Sequence, residues 1–225
     1  RFPKADVLAS MFSLVENTGV PLEDVIDQRY PYFLDWQDEI GECHKRYTQR
    51  KLDTNSVDFD DLLILTRRLL KENSDLLELY QKRFQYILVD EYQDTNAVQC
   101  DWIDLLTGGG ASIMAVGDDA QSIYSWRGAD MGNILGFPER FSGCRVFKIE
   151  TNYRSVPEIL DLSNAAIRAN RARFEKDLLS ARAQKGVKPA LVPVEDPPVQ
   201  SRFVCQRMVD LRDEGLPPAA MAVLD

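Results

Sequence analysis

The stretch Tyr86-Ile87-Leu88-Val89-Asp90-Glu91-Tyr92-Gln93-Asp94-Thr95-Asn96 drives an apolar run straight into two adjacent carboxylates. Two acids at a strand end repel each other unless something positive sits against them. The chemistry that suits such a pair is that of nucleotide hydrolases. One carboxylate, Asp90, holds Mg²⁺, and the other, Glu91, polarises the water that attacks a γ-phosphate. The competing assignment is a solvated acidic turn. A second cluster, Val116 to Asp130, follows an apolar run with Asp118-Asp119, then Gln121, Tyr124, Trp126 and Arg127. The Gln121 amide could sense the γ-phosphate. Tyr124 and Trp126 could stack bases and Arg127 could meet a phosphate, since interleaved aromatics and arginine grip single strands without sequence preference. Otherwise the two aromatics belong to the core. A third cluster, Glu150-Thr151-Asn152-Tyr153-Arg154-Ser155, offers an arginine that can neutralise transition-state charge in phosphoryl transfer. Its competing assignment is an ordinary surface arginine.

These clusters need strand ends to hold them. Short apolar runs predict strands at 86–90, 112–119, 144–150 and 189–196, and the start of another at 220–225. Helical spacing of Val98, Trp102, Leu105 and Leu106 predicts a helix after the first strand, and 129–137 reads as a short helix. Ser155 as N-cap, Pro157 in the first turn and Glu158 three residues after the serine predict another helix start. Phe203, Val204, Met208 and Leu211 mark a further helix. Strands alternating with helices mean an α/β fold with a mostly parallel sheet, and ligands there bind beyond the carboxyl ends of the strands. Residues 1 to about 83 read as helical. Phe59, Leu62, Leu63, Thr66 and Leu70 share one side of a helix that Ser56 or Asp58 could cap. The Lys45, Arg46, Arg50 and Lys51 cluster before it suggests a wet helix face in a separate lobe.

Composition bounds the rest. With 44% hydrophobic and 28% charged residues, the chain is an ordinary soluble globular sequence. It holds no apolar run long enough to span a membrane and no secretory signal. The four cysteines form no metal or redox spacing, which fits reduced thiols in a cytoplasmic protein. Cys43-His44, without further partners, makes a poor metal site. A net charge of −9 tells against nucleic acid as partner but leaves room for a local basic groove. Starting at Arg1 rather than Met suggests a piece of something longer.

Taken together, in this order and at these intervals, the clusters resemble the UvrD/Rep family of superfamily-1 DNA helicases. "LVDEYQDTN" resembles its motif II, "VGDDAQSIYSWRGAD" its motif III and "ETNYRS" its motif IV, while "DFDDLL" resembles the element preceding motif II. The likeness is strong over about 56–165 and looser over about 25–225. It implies a RecA-like parallel sheet with flanking helices, preceded by a helical subdomain. The divisions would be the end of an inserted helical subdomain (1–55), the second half of a first RecA-like domain (56–150) and the start of a second (151–225). It implies ATP and Mg²⁺ as cofactors, single-stranded DNA and duplex junctions as partners, and 3′→5′ translocation, with DNA repair among the family's roles. By resemblance, Asp90 and Glu91 serve the metal, with Glu91 as base, and Gln93 and Asp94 link the nucleotide site to the cleft. Gln121 contacts the γ-phosphate, Tyr153 stacks near adenine and Arg154 is the arginine finger. Tyr124, Trp126, Arg127 and Phe59 contact DNA. The family's P-loop needs a Gly-Lys pair, and none occurs in these 225 residues. That loop is expected upstream, later motifs downstream, and the chain by itself is expected to be inactive. The alternative of another class is a helicase-like scaffold or DNA-binding subunit without catalysis.

Overall fold

A computed structural model describes residues 1–224. The chain divides into two compact units, one formed by 1–149 with 167–176, the other by 150–166 with the residues from 177 onward.

The first unit opens with helices, as the sequence predicts. They are α1 (Ala5–Thr18), α2 (Leu22–Arg29), α3 (Gln37–Asp53), α4 (Phe59–Glu72) and α5 (Ser74–Arg83), with a 3-10 stretch at Pro31–Trp36. Met11, Phe12, Ile26 and Ile40 form their buried centre. Asp58, one of the two expected caps, closes α4. Its carboxylate accepts the Asp61 N–H at 2.8 Å, and Asp61 in turn accepts the Asp58 N–H at 3.0 Å. Lys51 at the end of α3 lies 2.8 Å from both carboxylates, so the Lys/Arg cluster is partly spent on joining α3 to α4.

Burial pushes the Asp58 carboxyl up, but Lys51, the Asp61 N–H and the Tyr47 hydroxyl outweigh it and bring it down to about 2. Its stabilisation is therefore complete above the ordinary value of 3.8 and is lost as pH falls through about 2. Asp58→Asn keeps a competent cap and removes the charge. Urea unfolding between these pH values should lose part of its acid slope in this variant; an unchanged slope would show that the pair contributes nothing.

The helical period of α4 is as predicted, but its apolar side is only partly covered. Leu70 is buried at 3% exposure, whereas Phe59 is 89% exposed. Phe59 is the first residue of the helix.

Strand β1 (Tyr86–Val89) pairs in parallel with β2 (Ser112–Ala115), from Tyr86 opposite Ser112 to Val89 opposite Ala115. Helix α6 (Ala97–Thr107) connects them, started by a capping box between Asn96 and Gln99. Val89, Ile113 and Ala115 turn to a core of Tyr92, Cys100, Ile103, Ile134 and Phe137, while Tyr86, Leu88 and Met114 lie exposed on the other face. This is the period-two alternation of a strand. Short helices α7 (Gly132–Leu135) and α8 (Phe137–Arg140) complete this layer.

In the second unit, β3 (Thr151–Asn152) pairs in parallel with β4 (Leu179–Ser180), alongside helices α9 (Pro157–Ile167) and α10 (Pro197–Asp213). Asp196 caps α10 by accepting the Val199 N–H at 2.8 Å.

Several expectations need correction. Among the described residues the sheets are two-stranded, and a full RecA-like sheet is not formed. The apolar runs 144–150, 189–196 and 220–224 are not in ladders, and Asp225 lies outside the described residues. An apolar run reports β-propensity, but a ladder needs a neighbouring strand to accept its hydrogen bonds. Phe147 and Leu191 are 82% and 94% exposed, so no such neighbour covers them. Pro193 also lacks the N–H a central strand requires. The first helical bonds of α9 are accepted by the Val156 carbonyl, one residue after the expected cap Ser155. The buried Glu158 carboxylate instead accepts the N–H groups of Lys185 and Gly186. Among the described residues, no helix is long and apolar enough to cross a membrane.

Candidate functional site

Parallel pairing sends Asp90-Glu91 and Asp118-Asp119 off the same end of the β1–β2 pair. The Val116 N–H donates to the Val89 carbonyl at 2.8 Å, and the Tyr92 N–H donates to the Val116 carbonyl at 3.0 Å, so the two exits stay in contact. Gly117 permits this approach. A Cβ there would stand 2.5 Å from Gln93 Oε1 and 2.6 Å from Ile134 Cδ1. Glu91 adopts the left-handed conformation, with φ 51° and ψ 43°. For a residue with a Cβ this costs about 1–3 kcal/mol, strain that the surroundings must hold. Its N–H donates to Asp90 Oδ1 at 3.0 Å, and its Oε2 accepts from Gln93 Nε2 at 2.7 Å. Both carboxylates remain exposed.

Gln93, only 1% exposed, joins the two acidic turns. Its amide nitrogen serves Glu91, and its amide oxygen accepts the Asp118 N–H at 3.0 Å. Asp94 beside it has a buried Oδ1 with no hydrogen-bond partner. Burial, then the charge of Glu91, pushes the Asp94 carboxyl up. Asp118 Oδ2 accepts from Gln121 Nε2 at 2.9 Å, while its Oδ1 accepts the Ala120 N–H at 3.0 Å and the Lys176 ammonium at 2.5 Å. Lys176 also stands 3.7 Å from Asp119, which is buried. Sequence reasoning missed Lys176. It pairs across 58 residues, and one lysine among many carries no local signal of its partner. Phe174, two residues earlier, packs on the Tyr92 core and brings the lysine to the turn.

Burial raises the Asp118 carboxyl, but Lys176 and Gln121 outweigh it, and it lies below its ordinary value. The sign follows: this pair stabilises fully above the ordinary carboxylate range and fades as pH falls through the lowered value. Lys176→Met should lower unfolding stability at neutral pH by about 1–3 kcal/mol, the worth of a hydrogen bond to a charged group. It should also flatten that acid slope. Denaturant unfolding across pH checks both.

The second turn's aromatics are not core residues. Tyr124 and Trp126 are 39% and 62% exposed. The Arg127 guanidinium lies 4.4 Å from the Trp126 ring centroid and 5.6 Å from that of Tyr124, a cation–π arrangement that holds the group together. Phe59 is also bare. Tyr153 and Arg154 belong to the second unit and are exposed. There, Asn152 Oδ1 accepts the Arg154 N–H at 2.9 Å. The first unit thus brings together Asp90, Glu91, Gln93, Asp118 and Gln121, with Lys176 as the cation of the Asp118-Asp119 turn. His44 stacks on Phe12 with ring centroids 4.5 Å apart, and its Nε2 stands 3.7 Å from Glu16.

Asp90 and Glu91 suit Mg²⁺, which takes one or two carboxylates with water and phosphate oxygens. The phosphates of a nucleotide have no Gly-Lys loop to receive them in this chain.

Comparison with known proteins agrees with the residues. Residues 4–142 match the UvrD/REP helicase N-terminal domain. The match begins well before the region where the motifs carry the resemblance and ends before Glu150, so it is not confined to the stretch from motif II to motif IV. DNA helicase II of Escherichia coli (strain K12) is 41% identical over 210 residues, covering 93% of this chain and 27% of the relative. A probable DNA helicase II homolog of Rickettsia conorii is 40% identical over 190 residues, covering 84% and 27%. The ATP-dependent DNA helicase Rep of Salmonella typhimurium is 44% identical over 141 residues, covering 63% and 21%. The chain thus spans about a quarter of the length of the curated relatives it matches. With the paired acidic turns and the domain match in agreement, this chain belongs to the UvrD/REP helicase family.

Proposed function

We propose that this chain is a segment of an ATP-dependent 3′→5′ single-stranded-DNA translocase and helicase, acting at duplex junctions in the cytoplasm. The observation that carries the reading is the buried Gln93, which ties the carboxylate of Glu91 to the Asp118 turn that holds Gln121. A scaffold has no use for a strained, exposed glutamate linked in this way to a second polar turn. The printed names of the relatives, DNA helicase II and ATP-dependent DNA helicase Rep, support it.

In this reading Mg²⁺-ATP, when bound, supplies the phosphoanhydride whose cleavage drives movement. Asp90 and Glu91 provide the oxygen donors for the metal. Glu91 also takes a proton from the attacking water, its carboxylate oriented by Gln93. Gln121 exchanges its bond to Asp118 for a phosphate oxygen and so couples the nucleotide's state to the turn that carries Tyr124, Trp126 and Arg127. These three, with Phe59, receive single-stranded DNA. Tyr153 stacks near the adenine and Arg154 acts as arginine finger. We assign about 1–55 to the end of an inserted helical subdomain, 56–150 to the second half of a first RecA-like domain and 151–225 to the start of a second.

Because no Gly-Lys pair is present, the 225-residue chain by itself should release no phosphate from ATP, with or without single-stranded DNA. The full-length protein should do so, faster with DNA. A phosphate-release assay on both decides. Robust turnover by the isolated chain would disprove its inactivity, and no turnover by the full-length protein would sink the helicase reading.

A further inference from the structure

Asn17, in the last turn of α1, is only 6% exposed, and its amide bridges three segments. Its Nδ2 donates to Asp60 Oδ1 at 2.6 Å and to the Ser13 carbonyl at 2.9 Å, and its Oδ1 accepts from Asn96 Nδ2 at 2.7 Å. Asp60 follows Phe59 at the start of α4. Asn96 caps α6 and forms a bridge with Ala129. The neighbouring Gly128 presses on the same end of α1: a Cβ there would lie 3.1 Å from Thr18 Cγ2 and 3.3 Å from Asn17 Cβ. Gly128 has φ 84° and directly follows Arg127. Phe59 therefore precedes a direct hydrogen-bond partner of Asn17, and Arg127 precedes a glycine whose missing side chain leaves room for Asn17, although 67 other residues separate them along the chain. Both side chains are exposed, and Arg127 packs only on the equally exposed Tyr124 and Trp126, so the buried contacts of their chain neighbours hold their backbones in place.

Resting on the helicase reading, we infer that Asn17 is a positioning residue for single-stranded DNA. It fixes the start of α4 and the Tyr124–Gly128 turn on one helix end, so that Phe59 and the Trp126–Arg127 pair meet the same strand. Asn17 touches no DNA in this account. A buried amide with both ends engaged is costly to leave half-satisfied, and a small displacement of a positioned group weakens its contact strongly.

The test uses the full-length protein, a fluorescent oligo(dT) titration and ATP hydrolysis without DNA. Asn17→Asp sets a carboxylate against Asp60. It should weaken oligo(dT) binding about tenfold, the order of one lost base stack, with DNA-independent hydrolysis within about twofold of the parent. Asp60→Asn added to it lets the new amide donate back to the new carboxylate and should restore part of the binding, since the Ser13 carbonyl stays without its donor. Should Asn17→Asp fail to fold, Asp60→Ala removes the bridge from its accessible end; assayed well below its melting transition, it should weaken oligo(dT) binding while DNA-independent hydrolysis is retained. The inference is overturned by unaltered binding in Asn17→Asp and Asp60→Ala. It is also overturned by no recovery in the double variant, or by binding and hydrolysis falling together with stability. If the parent itself binds no oligo(dT), the helicase reading fails as well; if the parent binds and Asn17→Asp binds equally, only this inference fails.

Discussion

Glu91→Gln in the full-length protein should reduce ATP hydrolysis by at least about a hundredfold, the lower end of what a positioned general base contributes. Nucleotide binding should be nearly untouched. The substitution removes the charge that accepts a proton but preserves shape, and a glutamine oxygen can still accept the Gln93 amide hydrogen now bonded at 2.7 Å. The left-handed backbone at φ 51° is equally strained in both variants, so folding stability should not separate them. Single-turnover hydrolysis beside a fluorescent-nucleotide titration measures the two effects independently. Normal turnover would remove Glu91 from the chemistry. Lost nucleotide binding would make it a ligand holder rather than the base.

Trp126→Ala and Tyr124→Ala should each weaken single-stranded DNA binding by about 1–3 kcal/mol, the worth of a base stack. Exposure separates this from a stability effect. Trp126 is 62% exposed and contacts Arg127 rather than a packed core, so its removal should change unfolding by less than about 0.5 kcal/mol. Arg127 loses an aromatic neighbour in either variant, and some of the binding loss comes from its freedom to swing away. Anisotropy titrations with oligo(dT) beside urea unfolding check both. Parent-like affinity in both variants would return the strand contact to other residues.

The exposure of these aromatics was not legible in the sequence. Tyr124, Trp126 and Phe59 have core-like side chains, and local pattern has no means of telling a covered ring from a bare one. Exposure is decided by which elements pack nearby, and only the folded chain supplies that. The acidic pairs were legible because a strand-end carboxylate pair is a local pattern. So was the Asp58 cap, one of the two the sequence offered, because capping works over three residues. The strands at 144–150 and 189–196 were misread because ladder bonds are non-local, and apolar composition does not supply a partner.

By itself the sequence determined the family, the helical opening, the β1–α6–β2 order and the chemical types at the candidate site, since these rest on contiguous or short-range patterns. Tertiary structure alone decided that Gln93 joins the two acidic turns, that Lys176 is the cation of the second of them and that Asn17 ties the start of Phe59's helix to the Asn96 cap beside the Ala129 bridge. Those links join residues 25, 58 and 43 positions apart, and only chain closure brings such atoms within hydrogen-bond distance.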